Sequence, residues 1–233
     1  LSRSRQGGKH QKILKAAVKI FARKGFYNAR VSEIAREANV ADGTIYLYFK
    51  NKDDILIHLF EEEMDLIIQA MREEVLVLDD PLEKLRVFVK KHLQMVEENP
   101  CLAEVIQVEL RQSNKFMKDY RNQRFREYLN LLADIVLEGQ RKGLFRLDVN
   151  PSIVKRVIFG ALDEMSTFWV LAKQRIYSVE DVSQQINDIL INGVAVPDLE
   201  GKILEISSNT QGGPYVRQKD HVSHGESDRP GDH

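Results

Sequence analysis

A chain of 233 residues with 43% hydrophobic and 30% charged residues is long enough to bury a sizeable core, in one large domain or two small ones. No apolar run approaches the roughly 20 residues of a membrane span, no signal-peptide pattern opens the chain, and the single Cys101 excludes an internal disulfide framework or an all-cysteine zinc site. The net charge of −1 is unevenly spread: residues 1–60 hold 12 Lys/Arg against 5 Asp/Glu and the remainder 22 against 30, so a basic N-terminal quarter suited to a polyanion precedes an acidic remainder with another task.

The expected fold class is all-α. Apolar spacing predicts a first helix over 10–24, stopped at Gly25, a second over 32–38 and a short third over 43–49. Ser32 is placed to cap the second helix, whose Ile34, Ala35 and Ala38 face inward; Asn39 permits the left-handed backbone of a tight turn, with Val40 tucked beneath it. Asp42 is placed to cap the third helix, where Ile45 and Phe49 share a buried face. Gly43, Thr44, Tyr46 and Tyr48 then point outward. Two tyrosines and a threonine are poor solvent filler but good contacts for phosphates and base edges, and Gly43 removes a side chain where backbone meets DNA. This is a helix-turn-helix with 43–49 as recognition helix. A long fourth helix over 52–77 starts beside Lys50 and Lys52, at a dipole end that favours phosphate, with Asn51 and Asp54 as a capping pair. The expected DNA-contacting set is Ser32, Gly43, Thr44 and Tyr46, with Tyr48, Lys50 and Lys52.

Farther along, Asp80-Pro81, Asn99-Pro100 and Asn150-Pro151 each read as an N-cap followed by proline at the first helical position. The remaining helices are predicted over 81–97, 100–112, 115–141, 151–173 and 179–195, with breaks at Gly143 and near Gly193. Helix eight carries a wider apolar band than one buried face needs: Val154, Ile158, Leu162 and Trp169, but also Val157, Ala161, Met165 and Phe168. A second apolar face calls for a partner, most simply the same helix in a homodimer, with Val179, Val182, Ile186, Ile189 and Leu190 of helix nine completing a four-helix interface. Residues 111–126 hold six basic side chains, Arg111, Lys115, Lys118, Arg121, Arg124 and Arg126, against Asp119 alone. They adjoin the apolar Leu102, Val105, Ile106 and Leu110 of helix six, and Phe116 and Tyr120 of helix seven. An apolar tunnel with a basic mouth suits a fatty chain with a phosphorylated head; the competing reading is a solvated basic face paired with neighbouring acids. His92 reads as a satisfied core residue, Asp163 and Glu164 as a polar stripe or hydrogen-bonding pair, and Cys101 as structural. No metal or cofactor is expected, and no His-Glu-x-x-His, Walker loop or Gly-x-Ser-x-Gly points to an enzyme.

From Pro197 the composition turns to Pro, Gly and His with few apolar residues, so 197–233 is expected to be a disordered tail. Residues 1–52 are taken as the DNA-binding domain and 53–196 as the ligand and dimerisation domain. Leu1 in place of Met points to a clipped or partial start, and the expected compartment is the cytoplasm.

The stretch from Ile13 to Leu56 resembles the DNA-binding domain of TetR-family transcriptional repressors. The resemblance is carried by Ala16-Ala17, Phe21, Lys24-Gly25-Phe26, the helix 31–38 and Gly-Thr-Ile-Tyr-Leu-Tyr-Phe-Lys-Asn-Lys at 43–52. It implies a nine-helix chain, a homodimer bound to double-stranded DNA and a divergent C-terminal ligand domain. With residues 41–52, the segments Glu-Leu-Arg-Gln-Ser-Asn at 109–114 and Phe-Gly-Ala-Leu-Asp-Glu at 159–164 resemble the FadR type of that family, which silences fatty-acid degradation genes and is released by long-chain acyl-CoA. Glu109, in the matching segment, joins the expected ligand set.

Overall fold

Three helix starts follow from capping chemistry alone. The computed structural model describes residues 2–109, 123–172 and 176–196, with side chains described for 8–108, 123–172 and 176–196. Asp80 accepts from the Leu82 N–H at 3.0 Å, Asn99 from Leu102 at 3.2 Å and Asn150 from Ser152 at 2.8 Å. In each case proline opens the helix, where its missing N–H would have no intrahelical partner. The described residues form α1 (Ser2–Lys24), α2 (Val31–Glu37), α3 (Asp42–Ile45), α4 (Lys52–Glu74), α5 (Pro81–Glu98), α6 (Pro100–Glu104), α7 (Gln123–Arg141), α8 (Pro151–Leu171) and α9 (Val179–Val194). A π-helical turn, Val105–Glu109, prolongs α6. Among these residues there is no strand, only an isolated antiparallel bridge between Phe145 and Ala195. The expected tail, and with it residues 110–122, lie outside the described residues.

Two expected caps are corrected. Ser32 and Asp42 lie inside α2 and α3, exposed, and Arg30 and Ala41 hold the N-cap positions. α2 begins early because Glu33 reaches back to the Arg30 N–H at 3.1 Å while its other oxygen takes the Lys24 ammonium. Those partners, Lys24 first, hold the Glu33 carboxyl below its usual range. α3 lasts one turn before tighter bonds take over, from Leu47 N–H to Thr44 at 3.2 Å and from Tyr48 N–H to Ile45 at 3.0 Å. The recognition element expected over 43–49 is therefore a four-residue helix and a turn. α1 starts at Ser2 rather than at residue 10, where no apolar periodicity marks it, and α4 stops at Glu74 rather than 77.

Asn39 has φ +54°, and the Asn39 N–H to Arg36 and Val40 N–H to Ala35 bonds, 3.1 and 3.0 Å, close α2 in a Schellman turn. Gly143, φ +67°, closes α7 the same way through Leu144 N–H to Gly139. α5 is the centre of the C-terminal half: Leu85, Phe88, Val89 and Leu93 are wholly buried, with α4, α7, α8 and α9 packed around them. α1 packs on α2, α4 and α6, so the helix-turn-helix is joined to the larger half by direct contact.

The second apolar face of α8 exists. Val154, Ile158, Leu162 and Trp169 are buried, while Ile153, Val157, Phe168 and Leu171 remain exposed along another side. α9 differs from expectation: Val179, Val182 and Leu190 are buried within the chain, α9 packing chiefly on α5, and Ile189 is the apolar residue left facing out.

Candidate DNA interface and effector cavity

Ile45 and Phe49 anchor the recognition turn in a core shared with Ile34, Ile55 and Leu56. Opposite them stand Tyr46, 60% exposed, and Leu47, 80% exposed, with Ser32, Gly43 and Lys50 also exposed and Thr44 half-buried. A Cβ on Gly43 would meet nothing within 4 Å, so packing inside the chain does not require glycine there. Tyr48 is half-buried, its ring edge-on to His10 at 6.0 Å, and His10 stacks on Phe49 at 4.9 Å. Exposed Leu47 and Tyr27, the latter in the α1–α2 connection, share the surface of this half and were absent from the sequence expectation; a lone exposed aromatic in a loop gives no periodic signal.

Lys52 is placed differently from the other expected contacts. Its ammonium donates to the carbonyls of Phe26, Tyr27 and Ala29 at 2.5, 3.0 and 3.1 Å and lies 4.6 Å over the Phe26 ring. Those bonds use all three donors of the group, and burial lowers its pKa. Asn51 caps α4 through the Asp54 N–H at 2.9 Å, and Asp54 accepts from Lys50 N–H at 2.8 Å. The start of α4 is thereby stapled to the α1–α2 connection.

A cavity of about 670 Å³ opens between α4, α5, α6, α7 and α8. Its apolar walls come from Phe60, Met64 and Ile67 of α4, Leu102 and Ile106 of the α6 segment, and Phe125 and Phe159. Of the expected ligand set, Leu102 and Ile106 line it; Val105 is buried but turned elsewhere. The Glu109 side chain, Leu110, Arg111, Lys115, Phe116 and Tyr120 lie outside the described residues. Arg124, from the basic run, pairs with Asp65 at 2.8 Å and Glu127 at 3.2 Å, so for this residue the paired-face reading holds. The α4 and α7–α8 walls were missed because no single segment announces them: Phe60, Phe125 and Phe159 meet only in the fold.

Polar groups sit on two walls. Glu63 of α4 has its pKa raised, mainly by burial and then by Glu62, against the opposing pull of Lys15. On the α5–α7–α8 wall His92 Nδ1 lies 2.6 Å from the Tyr128 hydroxyl and Nε2 3.2 Å from Ser166 Oγ. Burial lowers the His92 pKa to about 4, Asp163 partly opposing it, and raises that of Tyr128. The satisfied core histidine expected from sequence is thus also a cavity wall. Among the described residues no group of His, Cys, Asp or Glu is arranged to hold a metal, and no helix is long and apolar enough to cross a membrane.

Residues 13–59 match the family of bacterial regulatory proteins named for tetR, and residues 60–193 match the C-terminal region of YsiA-like proteins. The chain belongs to the TetR family. It is accordingly a DNA-binding transcriptional regulator and not an enzyme. The fatty acid metabolism regulator protein of Bacillus subtilis is 39% identical over 186 residues, covering 80% of this chain and 95% of that one. The crystal structure of FadR from Bacillus subtilis in complex with stearoyl-CoA superposes with a TM-score of 0.74 at 39% identity, over 78% of this chain and 98% of that chain. FadR from Bacillus halodurans gives 0.73 at 39%, with the same coverage. The TetR helix-turn-helix, α1 to the start of α4, is the part that presents Tyr46 and Leu47 to solvent.

Proposed function

We propose that this TetR-family chain is a cytoplasmic, homodimeric repressor of fatty-acid degradation genes that leaves its operator when long-chain acyl-CoA fills the cavity. The observation that carries the reading is the 39% identity, over 80% of this chain, to the fatty acid metabolism regulator of Bacillus subtilis, with the same identity to FadR from that organism solved in complex with stearoyl-CoA; a largely apolar cavity of about 670 Å³ supports it. Residues 1–52 read the operator and 53–196 bind effector and partner, with 197–233 a tail of no assigned role. Ser32, Gly43, Thr44, Tyr46, Tyr48 and Lys50 form the DNA surface. Lys52 is a positioning residue that holds α4 to the α1–α2 connection.

In the dimer the exposed stripe Ile153, Val157, Phe168 and Leu171 of α8 meets its symmetry copy, with Ile189 of α9 beside it. The two recognition elements then enter successive major grooves roughly 34–36 Å apart. α4 supplies a cavity wall at Phe60, Met64 and Ile67 and starts at the Lys52 staple. A ligand that fits only a tilted α4 shifts the population away from the DNA-competent spacing. Arg111 and Lys115 take the phosphorylated head.

The test is operator release titrated with acyl-CoAs of increasing length. Each buried methylene contributes about 0.8 kcal/mol, so potency should climb until the cavity is full, and Arg111→Ala or Lys115→Ala should raise the concentration needed without changing ligand-free DNA affinity. No release at any length overturns the reading in favour of a TetR repressor sensing another hydrophobic ligand, such as a drug.

A further inference from the structure

The side chain turned farthest from the core of the recognition element is apolar. Leu47 is two residues from each of Ile45 and Phe49, and both of these are buried. At about 100° per residue that spacing turns Leu47 to the side opposite both anchors, where it stands 80% exposed. Its backbone is held in place on either side. The Leu47 N–H donates to the Thr44 carbonyl at 3.2 Å, and the Tyr48 and Phe49 N–H groups both donate to that of Ile45 at 3.0 Å. Gly43, one turn earlier on the same side, carries no side chain, and a Cβ there would meet nothing within 4 Å. Lys50, three residues later, is exposed. The outermost stripe therefore runs from bare backbone through a leucine to a cation.

What a leucine can do in that position follows from what a major groove offers. Its floor presents ring nitrogens, carbonyl oxygens and amino groups, all of which hold water or a polar side chain, and one apolar group, the C5 methyl of thymine. A leucine pressed on a polar base edge strips its water and returns no hydrogen bond, which costs free energy. Against the methyl it displaces no hydrogen bond and removes apolar surface from water on both partners. The excess of 12 Lys/Arg over 5 Asp/Glu in residues 1–60 favours nucleic acid over an apolar protein partner for this face.

We infer that Leu47 packs on the C5 methyl of a thymine in the operator and so determines the base at that position. The inference rests on residues 43–49 entering the major groove and is independent of the effector.

The experiment uses the full chain and an operator selected from genomic DNA. Each thymine in turn is replaced by deoxyuridine, which lacks only the C5 methyl, and binding is measured for the wild type, Leu47→Ala and Lys50→Ala. For the wild type, one position, or a symmetry-related pair, should lose affinity by roughly three- to tenfold. Leu47→Ala should bind the unmodified operator about as weakly as the wild type binds that substituted one, and should be indifferent to the methyl there. Lys50→Ala should weaken binding and keep the dependence. Because the leucine is exposed, thermal unfolding of Leu47→Ala should match the wild type. A wild type with no methyl-dependent position overturns the inference alone. So does a dependence that Leu47→Ala retains, which would put Leu47 over sugar or phosphate, or one that Lys50→Ala loses as well. A Tyr46→Ala variant that binds the operator as tightly as the wild type overturns the placement of 43–49 in the groove, and this inference with it.

Discussion

Tyr46 and Lys52 are six residues apart and face opposite ways for a physical reason. Tyr46 sits on a turn whose neighbours Ile45 and Phe49 occupy the core, so its ring has nowhere to go but out. Tyr46→Ala should lose specific operator affinity by about 1–3 kcal/mol, measured by titration on DNA selected from the genome; unchanged affinity would remove the recognition assignment. Lys52 instead reaches the carbonyls of Phe26, Tyr27 and Ala29, between α1 and α2. Lys52→Met should cost on the order of 1–3 kcal/mol in denaturant unfolding, whereas Lys50→Ala should leave stability nearly untouched and lower the salt slope of DNA binding by about one unit. A stable Lys52→Met protein with a reduced slope would return Lys52 to the phosphate contacts. His92 titrates near pH 4 when folded against 6.5 when free, so between those values the unfolded chain binds the proton and the folded one does not. Stability should therefore fall as pH drops from about 6.5 toward 4, by up to about 3 kcal/mol from this residue. Comparing the pH dependence of unfolding in wild type and His92→Gln isolates it: the variant, less stable at neutral pH, should show the shallower decline.

At the level of elements, the caps were legible and the turns after them only partly. Asp80, Asn99 and Asn150 cap through short local bonds that depend on no distant residue, so their proline-marked starts are found where the pattern puts them. Ser32 and Asp42 had the right chemistry at the wrong step, because Glu33 engages Lys24 from another helix and moves the start of α2. The end of α7 shows a similar dependence. Gly143 supplies the left-handed turn, but Gly139, one turn earlier, is required by Phe145, whose buried ring overlaps the place a Cβ would take. Gly139→Ala should cost about 1–3 kcal/mol through overpacking, checked by thermal unfolding; a neutral result would mean that Phe145 has another rotamer to adopt. The π turn at Val105–Glu109 had no counterpart in the expectation, which took 100–112 as one regular helix.

For the whole molecule, the exposed stripe on α8 is the feature a single chain does not explain. Val157→Lys or Phe168→Glu, at positions 58% and 39% exposed, should give monomers or unfolded chain, because charge facing charge across a two-fold axis opposes association and an obligate interface leaves no stable monomer. Sedimentation of the wild type as a folded monomer at micromolar concentration would remove the dimer, and with it the spacing of two half-sites. α9 contributes less to that surface than its apolar spacing implied, since α5 claims Val179, Val182 and Leu190.

Sequence by itself determined what depends on near neighbours: helix content, three proline-marked starts, the Asn39 turn, the outward set around Tyr46, and the double face of α8. Each is decided within about four residues, where hydrogen-bond reach and helical period leave few alternatives. Tertiary structure alone decided what depends on which faces meet. It turned the Lys52 ammonium inward, gave α9 to α5, and brought Phe60, Tyr128 and Phe159 from three helices to one cavity. It also joined His92 to Ser166, 74 residues away. Such pairings are fixed by long-range packing, and a pattern read along the chain carries no record of which distant residue will arrive.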